Sequence, residues 1–324
     1  ANGTYPIAVR SHGGDGTADQ NPFIDSDPAN GIDTDILAQW ESWFTIMDQE
    51  RITIFFVIYD DAALVWDTGD TVGAEEQAFI ETLVDTFEHH EQLIWVVAEN
   101  FPAALTAPRV AAIAGIIRAA DDHDHVISVG RFDGSAFEFA SDPNVDQLAF
   151  ESTLTTASEL HAQVLPVFAA AAGAYNLNLS GVDYGAGGDG YRRRMWAVAT
   201  AGAYVMHAGQ NILDTPVSDL EECGRLREFM ERVDLSGMAP HDELAWGGTD
   251  YVLAVPGERY VGYAHHEPAT DMGLSSLPAR TWQLSWFDAA TGTRAEETVT
   301  TSGGGDASFP KPTSIGEPAA FYLR

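Results

Sequence analysis

Leu93-Ile94-Trp95-Val96-Val97-Ala98-Glu99-Asn100 is a run of apolar residues closed by a carboxylate and an amide. Its apolar part is rich in β-branched and aromatic side chains and shows no period-two alternation. That is the pattern of a strand buried on both faces, as in a parallel sheet covered by helices. In a parallel barrel the side chains at the C-terminal ends of the strands face the ligand. Glu99 therefore stands where chemistry is done. Apolar walls disfavour its charged form, so its pKa is expected to be raised, which suits general-acid work.

The same grammar repeats on either side. Residues 52–59 read as another doubly buried strand, and 5–10, 126–129, 147–150, 175–179 and 203–207 as shorter ones. Helical spacing fills the intervals. It appears in Ile36, Trp40, Trp43, Phe44 and Met47 over 36–49, and in Phe79, Leu83 and Phe87 over 75–90. Further helices are predicted over 106–119, 158–172, 191–201 and 220–232. Alternating strands and helices give an α/β fold with a parallel sheet. Seven strands up to residue 207 are one short of a (β/α)8 TIM-type barrel, and a doubly wound open sheet is the rival. No G-x-G-x-x-G or Walker sequence follows the first strand, which argues against a nucleotide site. Beyond residue 235, short strands at 251–255, 260–264, 282–287 and 319–323 alternate with Pro, Gly and Asp turns. The expected organisation is a barrel domain over 1–235 and a small all-β, sandwich-like domain over 236–324.

Charge sets the outer limits. The chain has 49 acidic and 16 basic residues, a net charge of -33, and Lys311 as its only lysine. Such a surface repels nucleic acid. Arg in place of Lys, with abundant Asp, Ala and Gly, looks like proteins of extreme halophiles, where screening removes the self-repulsion. Apolar stretches reach about ten residues, too short to span a bilayer. No signal peptide precedes Ala1, which predicts a chain that is cytosolic or already processed. A single cysteine, Cys223, rules out an internal disulfide, and no acid/base partner lies near it in sequence. Ser180-Gly181 lacks the G-x-S-x-G elbow of a serine hydrolase. Asp121, Asp122, His123, Asp124 and His125 have metal-binding chemistry, but they precede a strand and so lie at the wrong end of a barrel.

The remaining strand ends supply a consistent set: Arg10 and His12, Asp60 and Asp61, Glu99 and Asn100, Arg131, Glu151, Asp183 and Tyr184, and His207. The Glu99 run resembles the fourth-strand motif of the retaining (β/α)8 glycoside hydrolase clan. More closely, the chain resembles apiosidase-like glycoside hydrolases that carry a C-terminal β domain of collagen-binding type. Several segments carry this match in order: His12-Gly13-Gly14-Asp15-Gly16, Gln39-Trp40-Glu41, Asp121 to His125, Arg193 to Trp196, Ala201-Gly202-Ala203, the strand at 251–255 with Pro256-Gly257, Trp286-Phe287-Asp288, and Thr291-Gly292.

The resemblance implies a glycan ligand, with Glu99 as the acid and Asp183 as nucleophile or base. Arg10, His12, Asp60, Asp61, Asn100, Glu151 and Tyr184 would bind hydroxyls or tune the pair. Tyr59, Trp66, Phe101, Phe132 and Tyr184 would offer faces for sugar stacking. No metal or organic cofactor is required. Two departures stand out. The clan ends this strand in Asn-Glu, whereas here the order is Glu99-Asn100; and its second Glu is replaced by the shorter Asp183. If Glu99 ends barrel strand four, residues 5–10 are strand two and the first strand is missing. A second copy, a partner chain or a local closure between residues 5–10 and the last strand at 203–207 would then cover that edge. The alternative is a non-catalytic carbohydrate-binding or structural surface protein, such as an adhesin. Either would act outside the cell or at the surface of a halophilic organism or its virus.

Stability is expected to rise from low salt to molar KCl, because the Debye length shrinks to about 3 Å at 1 M. Thermal melts over that range test it, and a melting temperature that stays flat or falls removes the halophile reading.

Overall fold

The computed structural model describes residues 22–59, 65–131, 138–152, 154–170, 176–180, 188–205, 216–266 and 271–324. The expected strand at 5–10 lies outside them. Two compact units emerge, Ala1–Phe150 with Ala174–Asn176, and Glu151–Gly173 with Leu177–Arg324. This partition differs from a division at residue 235, because the second unit holds three helices together with the β module.

The first unit runs α1 (Thr34–Gln49), β1 (Ile54–Tyr59), α2 (Ala74–Phe87), β2 (Leu93–Ala98), α3 (Ala107–Ala120), β3 (Val126–Arg131) and β4 (Gln147–Glu151). The four strands lie in sequence order and pair in parallel, with Ile54 against Leu93, Ile94 against Val126 and Ser128 against Gln147. Each strand and helix falls within a few residues of its sequence expectation. What the described residues form here is a four-strand parallel sheet, not a closed barrel.

The core follows from the aromatic spacing. Phe56 of β1 meets Trp40 and Phe44 of α1, Phe87 of α2 and Trp95 of β2, with ring centroids 6.1, 5.4, 5.5 and 5.6 Å away. Such aromatic pairs contribute about 0.5–1.5 kcal/mol each beyond their area burial. Helix starts are fixed by caps. Asp33 accepts from the Asp35 N–H, and Thr106 accepts from the Arg109 N–H with Pro108 in the first turn of α3.

Above this core sits a buried charge. Glu76 in the first turn of α2 is fully buried, and Arg109 in the first turn of α3 is nearly so. Arg109 Nη2 donates to Glu76 Oε2 at 2.7 Å. Nη1 donates to Thr68 Oγ1 and to the carbonyls of Gly69 and Thr71, Nη2 also donates to the Trp66 carbonyl, and Nε is buried without a partner. The Tyr59 hydroxyl donates to Glu76 Oε1 at 2.6 Å. Burial, and then the Glu76 charge, push the Tyr59 hydroxyl well above its ordinary pKa, so it remains a donor.

The second unit runs α4 (Ala157–Ala170), β5 (Asn176–Ser180), α5 (Gly188–Thr200), β6 (Ala203–Val205) and α6 (Val217–Met230), with β5 and β6 paired in parallel. Then follow β7 (Ala239–Pro240), β8 (Ala245–Gly247), β9 (Tyr251–Val255), β10 (Arg259–Ala264), β11 (Asp271–Leu277), β12 (Arg280–Asp288), β13 (Arg294–Thr301), β14 (Gly305–Pro310) and β15 (Ala319–Leu323). They form one sheet in the order β13-β12-β15-β10-β9-β7 and another in the order β14-β11-β8. Met272, Leu274 and Phe309 of the small sheet share a core with Trp282, Trp286 and Phe321 of the large one. The large sheet is covered on its other face as well. Tyr263 stacks on Trp196 of α5 at 5.2 Å, and Phe287 lies 5.3 Å from Phe229 of α6. His161 of α4 ties the layers together: Nδ1 contacts the Ala197 carbonyl, Nε2 contacts Asp242, and the ring stacks on Tyr251. Among the described residues no helix is long and apolar enough to cross a membrane.

The buried pair gives a direct test. Arg109→Ala leaves Glu76 without its partner, and urea unfolding is expected to show a loss of about 3–5 kcal/mol. Glu76→Gln with Arg109→Met should lose clearly less. A single-variant loss below about 1 kcal/mol removes this pair from the list of what holds the unit together.

Candidate functional site

Glu99 and Asn100 follow β2 directly and are half-buried at the C-terminal end of the parallel sheet. The backbone there is held from both sides. The Glu99 N–H donates to the Tyr59 carbonyl of β1 at 2.9 Å. On the other side Gly130 of β3 packs so closely that a Cβ at that position would stand 2.0 Å from the Glu99 carbonyl oxygen and 2.4 Å from that of Ala98. Asn100 then leads into a short 3-10 turn, Phe101–Ala103, closed by the Leu105 N–H on the Phe101 carbonyl.

Arg131 ends the neighbouring strand. Its Nη1 donates to both carboxylate oxygens of Glu138, at 2.8 and 2.9 Å, and its guanidinium lies 6.0 Å from the Phe101 ring centroid. Phe101 packs against Phe139 at 5.1 Å. The C-terminal edge of β2 and β3 thus presents Glu99, an amide and an Arg–Glu pair above two buried rings. The sequence had flagged Arg131 as a strand end without giving it a role. Its partner Glu138 had no sequence signal.

Arg10, His12, Asp60, Asp61, Asp183, Tyr184 and His207 lie outside the described residues. Glu151 ends β4 as expected. Two of the proposed stacking rings are corrected. Tyr59 is 1% exposed with its hydroxyl on Glu76, and Phe101 is 4% exposed against Phe139. Both are core residues with no free face for a sugar. Trp66 is half-buried against Phe23 and Phe79, and Phe132 lies outside the described residues. His125 has structural partners: Nδ1 faces Asp121 and Nε2 faces the His90 carbonyl. Cys223 is half-buried, and burial raises its thiol pKa, which keeps it a poor nucleophile.

No protein-family model matches the chain, and no curated protein matches it significantly. Solved structures do. One described as a glycoside hydrolase aligns with a TM-score of 0.57 and 14% identity, over 78% of this chain and 69% of the other. A family 5 glycoside hydrolase from Bacteroides vulgatus aligns with a TM-score of 0.56 and 13% identity, over 77% and 66%. A further glycoside hydrolase structure from the same organism gives a TM-score of 0.59 and 10% identity, over 90% and 63%. The chain therefore has a glycoside hydrolase-like fold and spans about two thirds of the length of these structures.

The clamp on Glu99 can be tested against a glycine in a roomier place. Gly130→Ala forces the β2 terminus away and is expected to destabilise by about 1–3 kcal/mol. Gly115→Ala on α3, where a Cβ would meet its nearest neighbour at 3.6 Å, should instead stabilise by up to about 1 kcal/mol. Equal urea midpoints for the two variants would contradict the close approach at Gly130.

Proposed function

We propose that the chain is a glycoside hydrolase-type protein acting on a neutral glycan through two carboxylates, with Glu99 as the acid. One observation carries the reading. The carboxylate that closes the most apolar strand of the parallel sheet sits at its C-terminal end, half-buried and clamped through its backbone, in a chain with a glycoside hydrolase-like fold. A positioned carboxylic acid in that setting protonates a leaving glycosidic oxygen. Asp183 serves as nucleophile or base, and Arg10, His12, Asp60, Asp61, Asn100, Glu151 and Tyr184 bind hydroxyls around the pair.

Retaining enzymes hold their two carboxyls about 5–5.5 Å apart, and inverting ones about 6.5–9.5 Å apart. Asp is one methylene shorter than Glu, so Asp183 draws back from the bond and widens the gap. The route is then either slow and retaining, or water-mediated with Glu99 as acid. The barrel closure over 1–235, the separate role of 236–324, the apiosidase-like affiliation and a halophilic extracellular setting belong to the same proposal. The acidic composition supports the setting.

A second reading rests on Asn100, which stands where the clan places its acid. It makes the chain a carbohydrate-binding protein without turnover. A screen of glycosides and a glycan array in molar KCl separates the two, with Glu99→Gln alongside. The enzyme reading expects a hydrolytic rate that falls about 10²–10⁴-fold in Glu99→Gln. An unchanged rate in the variant removes Glu99 as the acid. Glycan binding without hydrolysis by the wild-type chain leaves the second reading.

A further inference from the structure

Glu41 of α1 meets His89 and His90, which follow the C-terminus of α2. Glu41 Oε1 lies 3.1 Å from His89 Nε2, and Oε2 lies 3.0 Å from His90 Nε2. The other ring nitrogen of His90, Nδ1, lies 2.7 Å from Asp48 Oδ2. His90 is 1% exposed, whereas His89 opens to solvent. The two imidazoles are tilted 35° to each other with centroids 4.2 Å apart. One donor atom from each of Glu41, His89 and His90 falls within 4.8 Å of the others.

A neutral imidazole has one N–H and one lone pair. Both ring nitrogens of His90 face carboxylate oxygens. With Nδ1–H donated to Asp48, the Nε2 lone pair points at Glu41 Oε2, and that contact is repulsive unless a positive charge lies between them. Asp48 adds to the demand, because its Oδ1 is buried with no hydrogen-bond partner.

We propose that Glu41, His89 and His90 form a transition-metal site of the Zn2+ type, with Asp48 orienting His90. Two imidazole nitrogens and one carboxylate are a zinc donor set, and the solvent side at His89 leaves room for a water as fourth ligand. Two nitrogen ligands disfavour Ca2+ and Mg2+, which take oxygen. The carboxylate on the far nitrogen of His90 is the usual outer partner of a metal-bound imidazole; it fixes the tautomer and the ring orientation.

The site lies at the opposite end of β2 from Glu99. His89 and His90 precede the strand and Glu99 follows it, and its six residues span about 20 Å. The ion has no part in glycan chemistry; it clips α1 to the α2–β2 connection. This holds whether or not Glu99 is catalytic.

The experiment uses chelator-stripped full-length protein in molar KCl, where loose binding to surface carboxylates is screened. Zn2+ is titrated by calorimetry, and Co2+ in its place is read by its visible d–d bands. The expected result is one ion per chain, bands typical of low coordination, and a higher melting temperature. His89→Ala, which alters an exposed side chain, should weaken binding at least 100-fold, and Asp48→Asn about 10–100-fold. Wild-type protein without a Co2+ spectrum overturns the proposal, as does His89→Ala binding Zn2+ equally well. In either case a second proton on His90 fills the gap.

Discussion

Arg109 and Glu76 face each other where water does not reach, and the C-terminal edge of the parallel sheet in the first unit is built around that fact. Desolvating two charges is expensive, and their attraction offsets it only when every remaining hydrogen-bonding group is also satisfied. Arg109 meets most of this demand by drawing the 66–71 loop around its guanidinium, through the Thr68 hydroxyl and three backbone carbonyls. A lysine has a single compact head and could not hold several carbonyls and a carboxylate in one plane. The Thr106 hydroxyl on Asp70 fastens the same loop to the start of α3. Tyr59 then relays the constraint. Its hydroxyl is spent on Glu76, and its carbonyl receives the Glu99 N–H. The position of the candidate acid is thus fixed through one residue to a buried ion pair it never touches.

The second unit solves a different problem. β15 is buried at all five positions, so its side chains need cover on both faces of the sheet. Ala319, Phe321 and Leu323 enter the sandwich core. On the opposite face of the same sheet, Tyr263 and Phe287 pack against Trp196 and Phe229 from α5 and α6. Phe321 sits directly across from Gly262, where a Cβ would lie 2.3 Å from the ring, so β10 has to be bare at that point. Without the helices, the large sheet would expose aromatic surface. That is why α4 to α6 cluster with the β module instead of forming a unit of their own.

Much of this was legible in the sequence, for reasons particular residues make plain. Leu93–Ala98 is buried at five of its six positions and Ile54–Tyr59 at four, with none exposed, as their unbroken apolar runs required. The spacing of Phe79, Leu83 and Phe87 placed all of them in the core. The edges were harder to read. β13 is Arg-Ala-Glu-Glu-Thr-Val-Thr-Thr at the margin of its sheet, where one partner suffices and polar side chains face water. β11 is the middle strand of the small sheet, but Gly273 interrupts its pattern, its missing side chain making room for the Ala307 carbonyl. Tyr59 and Phe101 look the same in sequence whether they line a cleft or support it. Only the presence of Glu76 and Phe139 decides between the two, and neither contact has a fixed spacing. The Glu41, His89 and His90 cluster is joined by folding across nearly fifty positions, so no local motif announces it.

The charge imbalance ties these sites together. With one lysine and a net charge of -33, the chain has few cations to place. Several of them sit at junctions between elements, while Arg51, Arg227, Arg232, Arg280 and Arg324 are exposed. Arg109 holds Glu76, and Arg192 and Arg225 share Glu222 between α5 and α6. Arg118 holds Asp146, and Arg294 holds Glu228. A guanidinium suits such places because it stays charged and donates in several directions at once. The surface is then left mainly to the carboxylates, whose mutual repulsion is long-ranged and can be screened by salt. The pairs held out of water, Arg109 with Glu76 and Arg192 with Glu222, are short-ranged and are screened much less. The two kinds of electrostatics can therefore coexist, since salt that relaxes the outside barely weakens the inside. At Glu41 and His90 this arrangement reaches its limit: two carboxylates converge on one imidazole with no arginine beside them among the described residues, and the positive charge has to come from a proton or a metal ion.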